Sequence, residues 1–199
     1  MVDFARTVGI TETHLLDQLS SPEFLGVNWG QQYYKVLADY NGPEKAKSTL
    51  KSMLFLHVSM DPRIVAHIID AVSGGGEVVT LQPFADKHVV THEFAHTLAG
   101  KLGVPYNEIT PGHILRSLAE ELPEKFKNYD WDWINRTHEA YTEVLTNYFM
   151  GNFKPDSPLH QLSERMIMAS DDPNIRSLIG TALGLALVAT GAYKQMEKQ

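Results

Sequence analysis

Cysteine is absent from all 199 residues, so disulfide frameworks, zinc-thiolate sites and thiol nucleophiles are excluded. Histidine and carboxylate remain as metal ligands, with 9 His and 24 Asp plus Glu to draw on. Positive charge is scarce: 17 Lys plus Arg leave a net charge of −7 and a pI near 5.7. That balance argues against a nucleic-acid backbone as the main partner. The start, Met1-Val2-Asp3-Phe4-Ala5-Arg6, lacks the basic n-region and apolar h-region of a secretory signal, and the expectation is a cytoplasmic protein. Gly74-Gly75-Gly76 has no Gly-Lys-Ser/Thr after it and leads into a strand pattern, which excludes a phosphate cradle. Internal repeats and low-complexity segments are also missing. Long apolar runs are few. Ser177 to Tyr193 is uncharged, and its 17 residues stand at the lower limit for crossing a bilayer. Gly180 and Gly184, with Ala182 and Ala186, give it the small-x-x-x-small spacing of tightly packed helices. A buried or subunit-interface helix, with a homo-oligomer in the latter case, is preferred over a membrane anchor, and both stay open.

What is present is enough apolar residue, 43%, to bury one substantial core. The expected architecture is a single mainly α domain with a small β-sheet (α+β). It comprises a helical N-terminal part over 1–76, a metal-site core over 77–150 and C-terminal helices over 151–199. Ser or Asp before Pro marks a helix start, because proline at the first helical position has no N–H to leave unsatisfied. Ser21-Pro22, Asp61-Pro62, Ser157-Pro158 and Asp172-Pro173 fit that pattern, as does Thr110-Pro111. Helices are predicted near 11–19, 22–40, 43–57, 62–72, 86–102, 111–122, 131–150, 158–169 and 173–196. Met53 to Val58 reads almost as well as a strand. Glu77 to Gln82 is the best strand, stopped by Pro83, and it is expected at a sheet edge. Gly103 and Pro105 should close the helix over 86–102.

That helix contains His92-Glu93-Phe94-Ala95-His96. Residues four apart on a helix have Cβ atoms about 5–6 Å apart, close enough for His92 and His96 to share one ion. Zinc in hydrolytic sites takes imidazoles and a carboxylate and keeps one position for water. Glu93, about 100° round the helix from His92, can take a proton from that water without ligating the metal. Val90, Phe94, Ala95, Leu98 and Leu102 form an apolar stripe on the other side, leaving the three polar residues for a cleft.

Two imidazoles hold zinc weakly, so a third ligand is needed. The His-Glu-x-x-His-x-x-Gly-x-x-His solution is excluded, because Ala99 and Leu102 occupy the glycine and final histidine positions. A carboxylate from a second helix is the alternative. Between Asp132 and Asn147 the residues Asp132, Asn135, Arg136, Glu139, Glu143 and Asn147 form a polar stripe, opposite Ile134, Tyr141, Leu145, Tyr148 and Phe149. Glu139 and Glu143 stack at i, i+4, a repulsive pair unless positive charge lies alongside. Glu139 is the preferred ligand, with Glu143 accepting a hydrogen bond from the outer nitrogen of a ligating histidine. The reverse, with Glu143 as ligand backed by Asn147, stays open, as does a merely solvated polar face.

His92-Glu93-Phe94-Ala95-His96, with His138-Glu139-Ala140-Tyr141-Thr142-Glu143 downstream, resembles the gluzincin branch of zinc metallopeptidases, of the anthrax lethal factor and Pro-Pro endopeptidase type. The likeness covers about residues 77–150. It implies a zincin-like domain with Zn2+ held by His92, His96 and Glu139 and with Glu93 as general base. It also implies a peptide or protein substrate that adds as a strand to an edge at Glu77–Gln82. One departure is that the family carries a tyrosine seven residues before the ligand glutamate, where Asp132 stands here. The oxyanion donor must come from elsewhere, and Tyr129, Tyr141, His113 and His138 are the candidates. His88, one turn before His92, could support the site or cap the helix. His14, His57, His67 and His160 read as ordinary histidines. The expected function is zinc-dependent peptide hydrolysis. The alternative is a structural or interaction protein of the same fold with a non-catalytic metal site.

Overall fold

The structure is a computed structural model that describes residues 2–15, 26–57, 61–82, 85–106, 108–127 and 131–179. It is mainly helical with one three-stranded sheet. Contacts divide the chain into two compact units, Met1–Thr97 and Leu98–Gln199. The expected helix start at Ser21-Pro22 and nearly all of the apolar stretch 177–193 lie outside the described residues. Among the described residues no helix is long and apolar enough to cross a membrane.

The first unit runs α1 (Val2–Val8), β1 (Glu12–Leu15), β2 (Gly26–Trp29), α2 (Gln31–Asn41), α3 (Pro43–His57), α4 (Pro62–Ser73), β3 (Val78–Leu81) and the greater part of α5 (Lys87–Lys101). Two predicted helices are corrected here. Residues 12–15, expected inside a helix, pair in parallel with β3, and residues 26–29, expected inside the next, pair antiparallel with it. Gly26 is a weak helix former, and Val27 and Trp29 suit a pleated surface. Cross-strand pairing then outweighs the weak local preference. Helix α1 carries no predicted counterpart, yet it buries Phe4 and Val8, one turn apart.

The sheet order is β1-β3-β2, so β3 is the central strand. The expected edge at Glu77–Gln82 is therefore overturned: both of its sides are taken by neighbours. Its four residues are all buried, as an uninterrupted Val-Val-Thr-Leu run implies when a strand is covered on both faces. Trp29, Leu50, Leu54, Ile68, Val72 and Val78 form the core of this unit. The Trp29 indole N–H donates to Thr80 Oγ1 at 3.0 Å, which satisfies both buried polar groups. Asp61 caps α4 as predicted, accepting from the Arg63 N–H at 2.9 Å.

The second unit holds the end of α5, then α6 (Gly112–Glu121), α7 (Pro123–Phe126), α8 (Trp131–Ile134), α9 (Thr137–Phe149), α10 (Pro158–Met168) and α11 (Pro173–Arg176). Gly103 closes α5 at φ +73°, with the Val104 N–H reaching back to the Ala99 carbonyl at 3.0 Å, a Schellman closure. Ser157 and Asp172 cap α10 and α11. Thr110 does not cap α6; its hydroxyl instead donates to the Ile134 carbonyl at 2.9 Å. The single predicted helix over 131–150 is broken at Asn135-Arg136 into α8 and α9. Thr110 N–H donates to Asn135 O and Thr137 N–H to Glu108 O, each at 2.9 Å. The two flanking bonds make Ile109 and Arg136 a β-bridge pair, and this bridge diverts the backbone from the helical path.

Candidate metal centre

Helix α5 begins where the Asp86 carboxylate accepts the Val89 N–H at 2.9 Å, so Asp86 rather than His88 is the capping side chain. Its centre is tied to β2. Asn28 Nδ2 donates to the Glu93 carbonyl at 2.7 Å and to Thr97 Oγ1 at 2.9 Å. Thr97 Oγ1 in turn donates to Glu77 Oε2 at 3.1 Å. This chain of bonds holds the turn that carries Glu93. The Glu93 side chain is buried and runs so close to Gly26 that a Cβ there would lie 2.8 Å from Glu93 Cγ. A glycine is what that approach requires.

His92 and His96 are half-buried, with ring centroids 4.7 Å apart and planes at 88°. His88 lies one turn back, its ring 6.4 Å from that of His92. Helix α9 is buried at every position except Tyr141, which is half-buried. Glu139 and Glu143 therefore sit in an interior that rejects unpartnered charge. Asp132, Asn135 and Arg136, the other half of the predicted polar stripe, are exposed instead. The break at Asn135-Arg136 separates the two groups.

The two carboxylates have different surroundings. Glu143 Oε2 accepts from Asn147 Nδ2 at 2.9 Å, and the same amide donates to the Glu143 carbonyl at 2.8 Å. Asn147 Oδ1 accepts from Lys125 Nζ at 3.0 Å and from Asn152 Nδ2 at 2.8 Å. Glu139 Oε1 lies 2.9 Å from His138 Nε2, and the His138 ring is stacked on Tyr106, with centroids 3.9 Å apart and planes at 16°.

One donor atom each from His92, His96 and Glu139 lie within 4.8 Å of one another. Glu143 is not in that group. Donors on a tetrahedral zinc with bonds of about 2.0–2.2 Å stand roughly 3.3–3.6 Å apart. Two imidazoles and a carboxylate are borderline donors suited to zinc, and the same set serves iron(II). The residues fit a divalent transition metal.

The other candidates are scattered. His113 is exposed on α6, and Tyr129 is outside the described residues. Tyr141 is half-buried, and burial holds its hydroxyl above the usual phenol range. His67 pairs with Glu12 at 2.7 Å at the surface, His160 packs edge-on to Tyr148, and the side chains of His14 and His57 are not described. The contacts of His138 and Tyr106 had no periodic signal. His138 falls off the polar stripe by helical phase, and Tyr106 lies in a turn. Asn28 was hidden inside a mispredicted helix. Comparison with known proteins returned no matching family model, no matching curated protein and no matching solved structure.

Proposed function

We propose that the chain is a zinc-dependent peptidase in which His92, His96 and Glu139 hold the metal and Glu93 is the general base. The observation that carries this reading is the convergence of one donor atom from each of the three ligands, beside a glutamate that immediately follows the first histidine. Bound zinc supplies Lewis acidity, lowering the pKa of a water toward 7 and polarising a carbonyl oxygen. Glu93 takes a proton from the attacking water as its oxygen bonds to the carbonyl carbon, and returns that proton to the leaving amine as the C–N bond breaks. Burial against Gly26, and the Asn28 bond to its own carbonyl, hold Glu93 in one position for both transfers. Glu143, anchored by Asn147, serves the outer nitrogen of a ligating imidazole.

The donor set alone also suits non-haem iron(II). Glu93 favours hydrolysis, because an oxygen-activating iron site has no call for a base next to its first ligand. Peptide is the substrate class that the likeness to the gluzincins implies. The test is Glu93→Gln assayed on zinc-loaded protein with denatured casein. The variant should keep its zinc and its melting temperature and lose at least about a hundredfold in turnover, in line with the usual worth of a general base. Undiminished turnover rejects Glu93 as the base. Zinc bound by a wild type that has no hydrolytic activity supports a non-catalytic metal site instead.

A further inference from the structure

We propose that His138 is a positioning residue for the metal site, holding Oε1 of Glu139 so that coordination falls to Oε2. The inference rests on the metal reading above. Consecutive residues on a helix point about 100° apart, so sequence adjacency alone does not bring their side chains together. Here His138 Nε2 nevertheless reaches Glu139 Oε1 at 2.9 Å, and the two side chains are only 5% and 6% exposed. In such an interior a carboxylate that lost this donor would rotate toward another. Engaging one oxygen fixes the carboxylate plane and makes single-oxygen ligation the natural mode.

The imidazole is itself held. Tyr106, in the turn after α5, stacks flat on it at 3.9 Å. The backbone just before it is pinned as well: Thr137 N–H and Oγ1 both donate to the Glu108 carbonyl, each at 2.9 Å. Tyr106 therefore fixes the His138 ring by stacking, and residues 108–110 fix the start of α9 by hydrogen bonds. A ligand orientation defined by packing from two directions is what a metal site needs from its outer contacts. Tyr106 and His138 also line a cleft of about 260 Å³ together with Ile109, Asp132 and Arg136.

The experiment compares zinc affinity, by competition with a chromophoric chelator, for the full-length wild type, His138→Ala and His138→Gln. It is accompanied by the visible spectrum of each cobalt(II)-loaded protein and the denaturant stability of each metal-free protein. Outer-contact residues of this type are worth about 10–100-fold in metal affinity. His138→Ala should weaken zinc by that factor and alter the cobalt spectrum. His138→Gln, whose amide can place a donor near the Nε2 position, should recover most of the affinity. Zinc affinity within twofold of wild type in His138→Ala, with the spectrum unchanged, overturns the proposal while leaving the metal site standing. A loss of metal-free stability with no change in affinity assigns His138 a structural role only and also overturns it. If the wild type binds zinc no better than a His92→Ala/His96→Ala double variant, the metal reading fails, and this proposal with it.

Discussion

Gly26 and Glu93 are separated by most of the first unit in sequence, and a single methyl group is enough to test their relation. A Cβ at Gly26 would meet Glu93 Cγ at 2.8 Å, Leu81 Cδ2 at 3.0 Å and Val89 Cγ1 at 3.1 Å. Glu93 and Leu81 are buried and Val89 half-buried, and the 2.8 Å approach requires the glutamate side chain or the backbone at Gly26 to shift. Gly26→Ala is expected to lower hydrolysis at least about tenfold while zinc content stays at the wild-type level, read by turnover and metal analysis side by side; misplacement of a catalytic group by an ångström costs this much or more. Tyr148 offers a test without the metal. Its hydroxyl is buried with no hydrogen-bond partner among the described residues, and burial, with Glu164 adding to it, pushes its pKa from 10.0 up to about 12. The unfolded chain loses this proton near pH 10 and the folded one near pH 12. The contribution is therefore whole below pH 10 and disappears as pH climbs through 12. Tyr148→Phe should leave stability at pH 7 unchanged or slightly raised, and it should soften the alkaline decline between pH 10 and 12 in paired thermal melts. An equal decline in both proteins would show that Tyr148 is not strained by its burial.

At the scale of elements, legibility followed how much of each element's structure is local. Helices α3, α4, α5, α6 and α10 announce themselves through caps, proline starts and 3.6-residue periodicity, which depend on neighbours in sequence. Strands β1 and β2 do not, because their extended form is decided by pairing with β3, whose residues are 49 or more positions from their partners. The central place of β3 was readable in principle from its unbroken apolar run, against the alternation of an open edge. Helix α9 shows the limit of the helical wheel: phase put Glu143 and Asn147 together, where they are hydrogen-bonded, but nothing local says that every position except Tyr141 is buried. The buried amide of Asn147 is what makes Glu143 tolerable there, donating to both its carbonyl and its carboxylate. Asn147→Ala leaves Glu143, Lys125 and Asn152 each short of a partner. It is expected to cost about 1–3 kcal/mol, measured by urea unfolding of the metal-free protein. A loss below about 0.5 kcal/mol would mean that water replaces the amide without penalty.

For the molecule as a whole, the neighbourhood of His92, Glu93 and His96 was legible, since the three share one helical turn and their proximity follows from their spacing. The choice between Glu139 and Glu143 was not, because the two lie on the same stripe one turn apart and differ only in what surrounds them. The structure gives the two different neighbours, His138 for Glu139 and Asn147 for Glu143. A metal that binds only the folded chain must also stabilise it, by about 4 kcal/mol when free zinc is a thousandfold above its dissociation constant. Calorimetric zinc titration of the wild type beside His92→Ala, His96→Ala, Glu139→Ala and Glu143→Ala reads out whether two imidazoles and the Glu139 carboxylate hold one divalent ion. One zinc per wild-type chain is expected, with binding lost or weakened at least about a hundredfold in the first three variants and a smaller loss in Glu143→Ala. Full-strength binding by Glu139→Ala, or none by the wild type, would contradict it.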